Sequence, residues 1–187
     1  LKQYSKDFKH VIWVPGNHEY YDNYFMKKSI DDARQWLKQV GCDNIVILDN
    51  ESTTVDGIPI HGSTLWTDMR RGDPVVRQSI QLGMNDYRYI RGATPASAGS
   101  KINTQKVLDM HKAGLEFLDA ATANGVDCIV VTHHQPTLAG LGNHYEPNDL
   151  DYAYASDLSE FFLDRKNIRV WCSGHTHVPN RELVIGE

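Results

Sequence analysis

An α/β fold is what this sequence predicts, and three observations predict it. Short apolar runs recur at 10–14, 126–132 and Ile168–Cys172, each the length of a strand. Between them, apolar residues return at helical spacing, at Ile30, Ala33, Leu37 and Val40 and again at Leu108, His111, Leu115 and Leu118. Each run is broken off by Gly, Pro or a polar turn. Periodicity shows only that strands and helices are mixed. It leaves their layering open.

The 187 residues suffice for one sizeable core, so positions 1–187 are expected to form a single domain. Nineteen Lys and Arg against 24 Asp and Glu give a formal charge of −5, with no long basic run. That argues against stable binding to nucleic acid or an anionic membrane. It leaves phosphate substrates open, because metals can hold them. The three cysteines, Cys42, Cys128 and Cys172, are odd in number and lack Cys-x-x-Cys spacing. Cys128 and Cys172 lie in apolar runs and read as buried free thiols, which fits a reducing, cytoplasmic setting. No apolar stretch reaches the roughly 18 residues of a membrane span. No signal peptide is visible, but the sequence begins at Leu1 rather than at a native Met, so the point stays open.

The first strand, at 10–14, runs into Pro15-Gly16-Asn17-His18-Glu19, where Pro and Gly permit a tight turn. Asn17 and His18 therefore stand at a strand's C-terminal end, where α/β sheets place ligands. The helix marked by Ile30 to Val40 stops at Gly41, a natural residue just past a helix end. Short strands follow at 44–48, 52–55 and Ile58–Ser63, joined by turn residues at Asp49-Asn50 and Asp56-Gly57. His61, in the third of these, reads as a satisfied core histidine. A long connection then carries Arg70, Arg71 and Arg77 and the tyrosine-rich stretch 84–90. A connection of that length is functional or partly helical, and its arginines read either as solvated surface residues or as bidentate contacts to substrate phosphate.

The longest helix is expected over 103–124, with Asn103 as N-cap and Gly125 as its end. The run 126–132, β-branched and without alternation, reads as a fully buried strand. It ends at His133-His134-Gln135-Pro136, and Pro136 keeps the preceding residue extended. Residues 138–151 are rich in Gly, Asn, Pro and Asp and read as an exposed, mobile loop, while Ser156 is a suitable cap for a helix carrying Leu158, Phe161 and Phe162. The strand Ile168–Cys172, read as buried, leads to Ser173-Gly174-His175-Thr176-His177, and one more strand is expected at 181–185. Gly174 interrupts the strand, so both imidazoles can turn toward a common point.

Three strand-end motifs thus emerge: Asn17-His18, His133, and His175 with His177. Imidazole nitrogens mixed with an amide oxygen suit a hydrolytic metal such as Mn, Fe, Zn or Ni. Closed structural zinc sites favour cysteine instead. No nucleophile elbow, phosphate-binding Gly-rich loop or dinucleotide fingerprint is present.

In these motifs the chain resembles the calcineurin-like metallophosphoesterase superfamily. Its ordered signature is D-x-H, G-D-x-x-D, G-N-H-[DE], a strand-end His and G-H-x-H. The last three stand in order as Gly16-Asn17-His18-Glu19, His133 and Gly174-His175-Thr176-His177. The first two would precede Leu1, so an N-terminally incomplete domain lacking its first strands is expected. Asp109-Met110-His111 spells D-x-H but lies mid-helix, and Gly72-Asp73 has Val76 where the second carboxylate belongs. Gly142-Asn143-His144 repeats G-N-H in a loop with no strand leading in, from which His144 is a candidate substrate contact.

The resemblance implies a sandwich of two mixed sheets flanked by helices, and two divalent transition metals as cofactors. It assigns Asn17, His133 and His175 to one metal and His177 to the other, with His18 a non-ligand that serves the leaving group. The implied activity is phosphoester hydrolysis, in which a bridging hydroxide attacks phosphorus in line and Arg70 or Arg71 meets the phosphate charge. Were acidic ligands to come from within this chain, Asp68 and Asp86 are the candidates. Two other outcomes fit the same motifs: a non-catalytic binding scaffold of this fold, and an inactive truncated fragment.

Overall fold

The structure, a computed structural model, describes residues 1–21, 26–92, 100–141 and 147–177, apart from the side chains of 26–28. His144 and the strand expected at 181–185 lie outside the described residues. Helix α1 (Lys2–Asp7) leads to strand β1 (Val11–Trp13), then α2 (Met26–Gln39) and β2 (Ile45–Ile47). β1 and β2 pair in parallel, so this stretch is a βαβ unit in which α2 makes the crossover.

The second sheet has the order β3-β4-β5-β6, with β3 (Glu51–Val55), β4 (Ile58–Ser63), β5 (Cys128–Thr132) and β6 (Ile168–Cys172). β3 and β4 form a hairpin through Asp56 and Gly57, both at positive φ as its tight turn requires. β4, β5 and β6 run parallel. The expected mixed α/β architecture with two sheets is therefore present. At Gly62 the sheets approach so closely that a Cβ would collide with Leu48 and crowd Val14.

The connection from β4 to β5 is mostly helical. It holds the single turn α3 (Met69–Gly72), α4 (Pro74–Gly83), α5 (Asp86–Tyr89) and the long α6 (Thr104–Thr122). Asn103 caps α6 by accepting from the Lys106 backbone N–H at 2.8 Å. The backbone of α3 is left-handed, with φ near +50 to +60° at Met69, Arg70 and Arg71, a conformation that costs non-glycine residues about 1–2 kcal/mol each. Leu65 and Trp66 also have positive φ, and buried His111 on α6 donates from Nδ1 to both of their carbonyls, 2.9 and 3.3 Å away. His111 thus has a structural task, consistent with setting aside its D-x-H. The larger core packs Ile30, Leu37, Ile45, Trp66, Val76 and Ile80 between α2, α4 and the two-stranded sheet, and a smaller one joins Leu65, Leu118, Val130 and Leu158.

Several expectations fail in detail. β6 is not buried: Val170 is 48% exposed and Cys172 is exposed, because among the described residues β6 is the outer strand of its sheet. β5 starts only at Cys128, with Val126 exposed, and alternates between buried and half-buried residues. Ser156 caps no helix; its hydroxyl accepts from the Asp68 backbone N–H at 3.0 Å. The last helix among the described residues, α7 (Ser159–Asp164), is entered instead through Asp157, whose carboxylate accepts from the Ser159 N–H and hydroxyl. The stretch expected as an exposed loop, 138–151, holds the 3-10 turn Leu138–Leu141, with Gly140 and Leu141 buried, and the start of a second, Asp149–Ala153. No described helix is long and apolar enough to cross a membrane.

Candidate functional site

The three parallel strands end level with one another. Ser63 pairs with Thr132, and Val131 with Cys172, so the loops that follow leave the sheet side by side at its carboxyl edge. His133 and His134 continue the ladder with backbone bonds to Ser63 and Thr64 carbonyls. Gln135 ties the next loop in: its amide donates to the Gly174 carbonyl at 2.7 Å and accepts from the Ser173 hydroxyl at 2.7 Å. The Gly174 N–H donates to the His133 carbonyl at 3.1 Å. These bonds fix the G-H-x-H loop against β5.

From the other sheet comes the turn after β1. Glu19 closes it by accepting from the Gly16 N–H at 2.6 Å, and the Thr64 hydroxyl donates to the Pro15 carbonyl at 2.8 Å. The His133 ring lies directly on Gly16, where any Cβ would collide with it. Glycine is thus dictated by close approach rather than by φ. Asn17 follows in the 3-10 turn Asn17–Tyr20, only 3% exposed.

Three donor atoms converge here. His133 Nε2 lies 3.1 Å from Asn17 Oδ1 and 3.0 Å from His175 Nδ1. His175 reaches this position with φ at +70°, and its ring stacks on Tyr154 with centroids 4.6 Å apart. Burial pushes His133 down to about 3, helped by the His175 and His18 rings, and pushes His175 down to about 4, helped by His18 and His177. Both imidazoles are therefore neutral at physiological pH, each with one unprotonated nitrogen, the state in which imidazole ligates metal. His134, fully buried behind them, sits with Nδ1 3.0 Å from the Thr64 carbonyl. Burial, then His175 and His133, lowers it well below the usual histidine range.

The other expected residues are placed less closely. His177 is exposed, at positive φ, and bears on the pair electrostatically rather than by hydrogen bond. His18 is exposed and packs on Tyr21 with ring centroids 4.6 Å apart. Arg70 lies over the Tyr152 ring at 5.6 Å and, like Arg71, is exposed on α3. Among the described residues neither arginine contacts the convergent donors. Asp68 keeps one carboxylate oxygen buried without a hydrogen-bond partner and does not join the cluster. Asp86 does: its Oδ1 accepts from Asn17 Nδ2 at 2.8 Å and from the Tyr21 hydroxyl at 2.5 Å. Gln135 and Tyr154 were not legible as site residues, since each acts through partners remote in sequence. Glu19 stood in the motif without a role, and its role is to hold the Gly16 N–H.

Among the described residues no group of three or more His, Cys, Asp and Glu side chains gathers as a metal cluster would. The convergent set is two neutral imidazoles and one amide oxygen, which fits a borderline divalent cation. A cavity of about 360 Å³ lies apart from it, lined by Arg34, Asp49, Asn50 and Lys106 among others, and touches none of the three donors.

Uncharacterized protein L509 of Acanthamoeba polyphaga mimivirus is 29% identical over 199 residues, spanning all of this chain and 68% of the viral protein. The crystal structure of phosphopantetheinyl hydrolase (PptH) from Mycobacterium tuberculosis superposes with a TM-score of 0.55 at 16% identity. That match covers 95% of this chain and 66% of the mycobacterial one, and it establishes likeness of fold. This chain thus spans about two thirds of each protein's length. The profile of the calcineurin-like phosphoesterases matches residues 1–179, and the chain belongs to that family.

Proposed function

We propose that this protein is a metal-dependent phosphoester hydrolase. The observation that carries the reading is the convergence of Asn17 Oδ1, His133 Nε2 and His175 Nδ1 at the carboxyl edge of the sheet. These three atoms would hold one divalent metal, and His177 would contribute to a second. A divalent metal bound there supplies Lewis acidity toward the phosphoryl group and makes water a stronger nucleophile. Gln135 and Gly16 hold the ligand loops in register, so the donors need little rearrangement. His18, exposed and sharing no hydrogen bond with the cluster, would give a proton to the departing oxygen. Arg70 and Arg71 are the cations we assign to substrate outside the ligand set. The buried free thiols of Cys42 and Cys128 accord with a reducing, cytoplasmic setting.

Hydrolysis of bis-p-nitrophenyl phosphate by the intact protein, before and after chelator treatment, tests the reading. Activity should vanish on chelation and return with Mn²⁺. Activity that survives exhaustive chelation, or failure to hydrolyse either a diester or a monoester with metal present, would overturn it.

A further inference from the structure

Asn17 is a useful cation ligand only one way round. Its two amide ends are nearly the same shape, yet one presents an oxygen lone pair and the other an NH₂ that repels a cation. The group behind the amide decides the matter. Asp86, on α5 and only 5% exposed, accepts Nδ2 of Asn17 at 2.8 Å. A carboxylate accepts and does not donate, so only the NH₂ end can face it. Oδ1 is left turned toward His133 Nε2, 3.1 Å away. The Tyr21 hydroxyl donates to the same Asp86 oxygen at 2.5 Å, so the carboxylate is itself held in place.

We infer that Asp86 is a positioning residue for the candidate metal centre: it selects the metal-binding orientation of the Asn17 amide. The inference rests on the metal-dependent reading above. Its physics is that of the carboxylates standing behind metal-bound histidines, which orient the ligand and raise its basicity. A negative charge behind the amide nitrogen polarises the amide so that its oxygen becomes a better donor. It also places an anion near a cluster whose own donors are neutral. α5 lies in the long connection between β4 and β5, 69 residues from Asn17.

Mn²⁺ titration calorimetry on the intact protein tests this without reference to turnover. Asp86→Asn should weaken Mn²⁺ binding ten- to a hundredfold, the usual cost of losing a partner behind a ligand, with the metal-free unfolding midpoint nearly unchanged. The reciprocal exchange is more pointed. Asn17→Asp alone sets two carboxylates against each other and should bind Mn²⁺ poorly. Combined with Asp86→Asn, the new amide donates to the new carboxylate, and affinity should recover above either single variant. This double variant also keeps the test alive should Asp86→Asn alone fold badly. Unchanged affinity in Asp86→Asn, or an exchange no better than the single variants, overturns the inference. Absence of Mn²⁺ binding by the parent protein overturns the metal-dependent reading itself, and the inference with it.

Discussion

His18 and Asn17 are neighbours in sequence but differ in surroundings. Asn17 is buried against Asp86 and His133, whereas His18 is exposed against Tyr21 and shares no hydrogen bond with the donor cluster. A side chain so placed can lose its imidazole without dislodging a ligand. His18→Gln should therefore retain the parent's metal content while its rate falls by about 10²–10⁴, the usual range for losing a general acid. The defect should shrink on a nitrophenyl ester, whose leaving group hardly needs a proton. Equal losses on good and poor leaving groups would reassign His18 to phosphate binding. At this scale the motif residues were legible, because Gly16, Asn17, His133 and His175 are fixed by type and order. Asp86 was named only as a possible direct ligand. Nothing local to residues 85–87 says that a carboxylate there will meet an amide 69 residues away.

Among the elements, α6 shows the local rules holding. Asn103 stands outside the helix at φ −130°, and its side chain accepts from the Lys106 N–H. Asn103→Ala should lower stability by about 1 kcal/mol, read as a shift in the urea midpoint, and an unchanged midpoint would show that the cap contributes nothing. Where the sequence misled, a tertiary partner had intervened. Ser156 has the chemistry of a cap, yet its hydroxyl is taken by the Asp68 backbone. β6 is apolar enough for a buried strand, but burial depends on what lies on either side of it. The left-handed backbone at Leu65, Trp66 and Met69–Gly72 was illegible for the same reason. Non-glycine residues enter that region only when other contacts hold them, as His111 holds the Leu65 and Trp66 carbonyls.

At the scale of the molecule, two sheets meet so that the turn after β1 faces the ends of β5 and β6. Gly62 permits the sheets to close, and Gly16 lets His133 lie on the opposite turn. The donors from both sheets then come close together, and we propose that Asn17, His133 and His175 would hold a single cation there. The most direct test is the metal content of the intact protein, by plasma mass spectrometry, beside that of His133→Ala and His175→Ala. The parent should carry a divalent transition metal. Each variant should lose metal from this site while keeping a cooperative unfolding transition, since both rings sit on loops rather than in either core. Undiminished metal in a folded His175→Ala protein would contradict the claim.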